Sequence, residues 1–316
     1  MPEFSMPPTS TNRYNSLSLH DLLEDELIIL PSFAEESRAN LDVWAEIRSN
    51  RLRDVVEVVN ITSDSISVRG NGHNNETIYL SDSVAVASIF NGRRVLLDVS
   101  GLPYHVWTPI LKALYCTNTL TRVVYVEPNE YKPHKSPASD SLFDLSKEFL
   151  GLSPLPGMAQ LLGPEDENRC LFVPLLGFEG NRPRSLAYQI DPEPKKVIPI
   201  VGLPGFQIEY PTYTLVCNRD LLEEFQAFSD IHFARASCPY EAYATLKSIK
   251  RYYSDHYMYI APVGTKPHGI GAVLYSIANP DDTEIMFDHP IKKDGRTAGQ
   301  GLVHIYDFGG FDEYRS

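Results

Sequence analysis

Short apolar runs alternate along this chain with longer stretches in which apolar residues recur every three or four positions. Leu27-Ile-Ile-Leu-Pro-Ser-Phe33 is such a run and predicts a buried strand. Leu41, Trp44, Ile47 and Leu52 then fall close to one face of a helix predicted between Glu35 and Arg53. From Val55 to Val68 the pattern shortens to alternation, the turn Gly70-Asn71-Gly72 follows, and Thr77 to Leu80 returns. That combination predicts a β-hairpin inserted early in the fold.

From Val95 the order becomes strand, turn, helix, strand. Val95 to Val99 is apolar, Ser100-Gly101-Leu102-Pro103 breaks it, Tyr104 to Tyr115 has a helical pattern, and Val123 to Glu127 is again strand-like. A βαβ unit of this kind requires parallel strands and a right-handed crossover. Residues 128–164 are Pro-rich, with a short helical pattern around Leu142 to Phe149, and are expected to run over the surface. The unit then recurs: strand 171–176, helix 183–189, strand 196–201; later come helical patterns at 220–228 and 240–253 and an apolar strand, Tyr257 to Pro262. Glu284 to Asp288 and Val303 to Phe308 read as further strands, the last at an edge.

Such alternation predicts an α/β fold with a doubly wound, mainly parallel, Rossmann-like sheet. The folded region is expected over 22–316, as one region or as two halves, 22–164 and 165–316. Residues 1–21, rich in Pro, Ser, Thr and Asn, read as a flexible arm. Within it, Met1-Pro-Glu-Phe-Ser-Met6 reads as a cloning remnant before a start at Met6.

Composition narrows the function classes. With 43% hydrophobic and 22% charged residues the chain is globular in type, and no apolar run approaches the ~20 residues of a bilayer span. The 41 acidic residues outnumber the 28 Lys and Arg, and a formal charge of −13 opposes non-specific attraction to long nucleic acid. A small anion in a local basic pocket is still allowed. Cys116, Cys170, Cys217 and Cys238 are scattered without CxxC spacing, and the nine histidines form no HxH or HExxH pattern. The expectation is a cytoplasmic protein with no metal centre and no cofactor, away from membranes.

In doubly wound sheets ligands bind beyond the carboxyl ends of the strands, which makes the strand-end loops the candidate site. Gly264-Thr265-Lys266-Pro267 joins a strand to a helix and offers a hydroxyl, an ammonium and backbone N–H groups where the helix dipole favours anions. A strand-to-helix turn favours Gly and Pro in any case. Ser100 and Gly101 end another strand, Ser100 suiting either helix capping or a ligand oxygen. Gly177-Phe178-Glu179-Gly180-Asn181-Arg182 offers Gly177 and the Arg182 guanidinium, suited to bidentate phosphate binding or to a surface ion pair. Glu127 can accept from a ribose hydroxyl or a base amine, or stand as a solvated strand end. Lys292, Lys293 and Arg296, among glycines, suggest a basic lid or a plain connector.

Leu97-Asp98-Val99-Ser100-Gly101 and Gly264-Thr265-Lys266-Pro267 resemble motifs of CARF domains, Rossmann-like sensors found in CRISPR-associated and related bacterial anti-phage proteins. The resemblance covers short segments. Val263 stands where a second glycine is usual, the Gly-Thr-Lys unit falls late in the chain, and no RxxxxH ribonuclease signature follows. The resemblance implies sensing of a nucleotide or cyclic oligonucleotide within an anti-phage system of several protein subunits. Two other readings stay open: an enzyme acting on a nucleotide or phosphorylated small molecule, with Asp98, Glu127 or Glu179 as acid or base, and a structural subunit with a vestigial pocket.

Overall fold

The computed structural model describes residues 10–138, 141–160 and 169–314. The expected cloning remnant and part of the 128–164 excursion lie outside them. The chain divides into two compact units, one comprising residues up to Glu130, Leu155–Gly157 and the chain from Thr297 onward, the other Tyr131–Pro154 with Met158–Arg296. Both are built from parallel strands with helical connections, the Rossmann-like α/β architecture that the alternation predicts.

The first unit is organised around β2 (Leu27–Pro31), β3 (Val55–Ile61), β6 (Val95–Asp98) and β7 (Thr121–Tyr131), parallel in the order β7-β6-β2-β3. Every residue of β2 and β6 is buried, which is why these strands read as continuous apolar runs. Helix α1 (Asp42–Asn50) covers them with Trp44 and Ile47, in one core with Leu96, Val124 and Ile305. Burying each such side chain contributes roughly 1.5–3 kcal/mol. Helix α2 (Ser83–Ser88) is capped by Asp82, whose carboxylate accepts from Val84 and Ala85 N–H, and α3 (Tyr104–Cys116) carries the crossover from β6 to β7.

The edges are antiparallel. β4 (Ser65–Gly70) and β5 (His73–Tyr79) extend the sheet beyond β3, with the predicted turn at Gly70-Asn71-Gly72. At the other side lie β17 (Thr297–Gly309) and β1 (Ser10–Tyr14). Here the structure corrects the sequence reading twice. Ser10–Tyr14 is a strand paired with Val303–Asp307 and not part of a flexible arm, so the 303–308 segment is interior to the sheet. Polar residues suffice on an edge strand because its backbone bonds to β17 do not depend on side-chain apolarity.

The second unit holds a five-stranded sheet in the order β13-β12-β11-β14-β15: β11 (Cys170–Leu175), β12 (Ile200–Gly202), β13 (His232–Ala234), β14 (Tyr257–Pro262) and β15 (Thr283–Ile285). All its pairs are parallel. Helices α4 (Asn181–Ile190) and α6 (Arg219–Glu224) contribute Leu186, Leu221 and Leu222 to a core with Phe172, Val201 and Ala261. Just before α6 in sequence comes α5 (Tyr210–Cys217). Helices α7 (Pro239–Tyr252) and α8 (Lys266–Ala278) pack so closely that a Cβ on Gly271 would stand 2.3 Å from the Pro239 carbonyl oxygen.

Within the excursion, the helix expected near 142–149 is absent. Ser141–Phe143 (β9) pairs with Pro133–Ala138 (β8), and Ser146–Phe149 (β10) pairs antiparallel with Pro290–Lys292 (β16). A short segment can show helical spacing by chance, and a strand partner more than a hundred residues away is not visible in local periodicity.

Candidate ligand site

The chain leaves β11 toward β12 and β13, then returns through α7 to place β14 on the opposite side of β11. The connections therefore diverge between β11 and β14, the switch point at which doubly wound sheets place ligands. Two candidate loops meet there. A Cβ on Gly177 would stand 2.7 Å from the Val263 carbonyl oxygen and 3.0 Å from Gly264 Cα. A Cβ on Gly264 would stand 2.6 Å from the Leu176 oxygen and 2.9 Å from that of Leu175. Both glycines are required for this close approach, and the space they open is filled by the neighbouring loop's backbone.

Thr265 is the N-cap of α8. Its hydroxyl donates to the Ala236 carbonyl at 2.7 Å and accepts from His268 N–H at 3.4 Å, so it joins the helix start to the loop after β13. His268 reinforces that joint with a ring nitrogen 3.0 Å from the Arg235 carbonyl oxygen. Burial pushes its pKa down to about 4, which keeps the ring neutral with Nε2–H as the donor. Lys266 occupies the first turn of α8 and is only 8% exposed. A cationic side chain is thus anchored in the turn where the positive end of the helix dipole lies.

Arg182, in the first turn of α4, is buried beside Asp288 and Glu179. Its Nε and Nη2 donate to the two Asp288 carboxylate oxygens at 2.9 and 2.7 Å, and Nη1 donates to Glu179 at 3.1 Å. Burial lowers the guanidinium pKa, but the hydrogen bonds and charges of Asp288 and Glu179 outweigh it and raise the pKa overall. Arg296 is half-buried with its carbonyl accepting from Lys132 N–H at 2.9 Å, and Lys293 pairs with Asp144. This Gly-containing segment thus pairs with the 132–149 region along much of its length.

Ser100, Gly101 and Glu127 belong to the first unit. Ser100 and Gly101 follow the carboxyl end of β6, whereas Glu127, expected at a strand end, lies within β7, which runs on to Tyr131; β2 and β6 form a switch point of their own. The Ser100 hydroxyl accepts from Val126 N–H at 3.0 Å, while Ser100 N–H donates to Asp98 at 2.8 Å. Asp98 also accepts from the Trp44 indole N–H at 2.9 Å. A Cβ on Gly101 would stand 2.7 Å from Pro31 Cγ and 2.9 Å from Ala34 Cβ, so the glycine admits the end of β2 and the loop after it. Glu127 is buried rather than a solvated strand end, with an oxygen 2.6 Å from His304 Nε2.

His304 is the residue that sequence reasoning missed. Among the described residues its Nδ1 is buried without a hydrogen-bond partner, and Nε2 is the nitrogen that meets the carboxylate. The only local signal was an isolated His within an apolar strand, and the pairing partner lies far away in sequence. Among the described residues no group of His, Cys, Asp and Glu is arranged to hold a metal, and no helix is long and apolar enough to cross a membrane. No known protein family, curated protein or solved structure matches the chain.

Proposed function

We propose that the protein binds a nucleotide-class anion at the switch point of its second unit and works as a sensor or regulatory protein. The observation that carries this reading is Lys266, a buried ammonium in the first turn of α8, at the carboxyl edge of a parallel sheet. A phosphate at this helix N-terminus would meet both a lysine and the positive end of the helix dipole. The resemblance to CARF domains supports a nucleotide or cyclic oligonucleotide signal, a cytoplasmic location, and a role beside other subunits in bacterial anti-phage defence.

Titration calorimetry with ATP, NAD, and linear and cyclic oligoadenylates tests the reading. At least one should bind, and Lys266→Ala should weaken that binding about tenfold or more, the effect expected from losing one charge-assisted contact. Absence of binding by all of them, or equal binding by Lys266→Ala, contradicts it.

A second reading, an enzyme, is favoured by Glu127 and His304. A carboxylate that orients an imidazole is the arrangement of a general base. Turnover of ATP or NAD, abolished by His304→Gln, would favour it over sensing alone.

A further inference from the structure

Asn181, Arg184, Ser185 and Tyr188 follow one another along α4 at the spacing of a single helical face. With Cys217 from the end of α5, and Asp220 and Leu221 from the first turn of α6, they line a cavity of about 170 Å³. That is below the ~300–1,000 Å³ of pockets for drug-sized molecules, so the cavity suits a small metabolite. Asn181, Ser185 and Asp220 are exposed, whereas Cys217 and Leu221 are buried. A ligand entering from solvent therefore meets polar groups and an apolar surface together.

The polar groups have bonding capacity to spare. Arg184 donates through Nη1 to Asp220 at 3.3 Å, and through Nε to Glu224 and to the Tyr188 hydroxyl, both at 3.1 Å. Among the described residues, no hydrogen bond is made by Arg184 Nη2, by Asp220 Oδ1, or by the Asn181 and Ser185 side chains. The Arg184 and Asp220 side chains are 39% and 53% exposed, and a pair so open to water is worth under about 1 kcal/mol. A ligand can join it at little cost.

Charge then selects the ligand class. One guanidinium stands beside two carboxylates, Asp220 and Glu224, so a plain anion meets a surplus of negative charge and a plain cation meets Arg184. A molecule with both charges on one carbon can lie head to tail along the Arg184–Asp220 pair, carboxylate on the guanidinium and ammonium on the Asp220 carboxylate, without parting the two. A short aliphatic side chain on the same carbon can cover Cys217 and Leu221, where burying apolar surface adds to binding.

We infer that this cavity binds a small aliphatic α-amino acid as its zwitterion. The inference rests on none of the residues that carry the nucleotide-binding reading.

Titration calorimetry with alanine, valine and leucine tests it, with two derivatives of each as controls: the amide, which lacks the carboxylate, and the N-acetyl form, which lacks the ammonium. At least one amino acid should bind with a Kd of about 1 mM or tighter, and both of its derivatives about tenfold or more weakly. Arg184→Gln and Asp220→Asn replace exposed side chains and should fold, and each should weaken amino-acid binding about tenfold. Asp220→Asn should also close the gap between the amino acid and its N-acetyl form, which altered packing alone would not do. No saturable binding by any of the three, a derivative that binds as tightly as its parent amino acid, or an affinity unchanged in either variant overturns the inference.

Discussion

Gly177 and Gly264, at the ends of the adjacent parallel strands β11 and β14, approach so closely that a Cβ on the first would lie 3.0 Å from the Cα of the second. Neither takes a left-handed backbone, so the constraint is space alone. Because the atoms in the way are backbone, they cannot rotate aside. Gly264→Ala and Gly177→Ala should each cost about 1–3 kcal/mol, read from urea unfolding. Unfolding at wild-type urea concentrations would mean that the two loops can part freely.

The Arg122 guanidinium and the Glu26 carboxylate form a buried ion pair in the first unit, 2.5 Å apart. Removing one partner leaves an uncompensated buried charge. Arg122→Leu should lower stability by about 3–5 kcal/mol, and the double change Arg122→Leu with Glu26→Leu by clearly less. Thermal melts of the three proteins decide this, and equal losses from the single and double changes would contradict it.

His268 ties stability to pH. The folded protein keeps the ring neutral down to about pH 4, whereas in the unfolded chain it takes a proton near 6.5. Its contribution is complete above about pH 6.5 and is lost as pH falls through the window to about 4, because acid there protonates only the unfolded state. The gap corresponds to about 3 kcal/mol. Urea melts from pH 7 to 4.5 should show a smaller loss for His268→Asn than for wild type, and parallel losses would contradict the assignment.

Glu127 and His304 depend on each other. Glu127→Leu should cost about 1–3 kcal/mol by leaving the buried His304 Nε2 without a partner, while Glu127→Gln, whose amide oxygen still accepts, should cost less. The comparison is made by urea unfolding, and equal costs would show that the hydrogen bond itself contributes little.

Much of the fold was legible because it depends on local patterns. Continuous apolar runs at Leu27–Pro31 and Val95–Asp98 follow from strands buried on both faces. Gly70-Asn71-Gly72 marked a hairpin by turn chemistry. Distant pairing was not legible: β1 with β17, β10 with β16, and Glu127 with His304 each join residues more than a hundred positions apart. At the site, sequence placed Gly177, Arg182, Gly264, Thr265 and Lys266 at strand ends, and the structure brings the Gly177 and Gly264 loops together at the β11–β14 switch point. It did not reveal that Arg182 is gripped by Asp288 or that the Thr265 hydroxyl already serves Ala236, since both partners come from other segments.

Hydrogen–deuterium exchange with and without ATP reads the switch point of the second unit segment by segment. Slower exchange is expected at 177–182 and 264–269 when ATP is present, with loss of that protection in Lys266→Ala. Protection confined to other segments, such as 98–101, or no change anywhere, would contradict a nucleotide site at the switch point of the second unit.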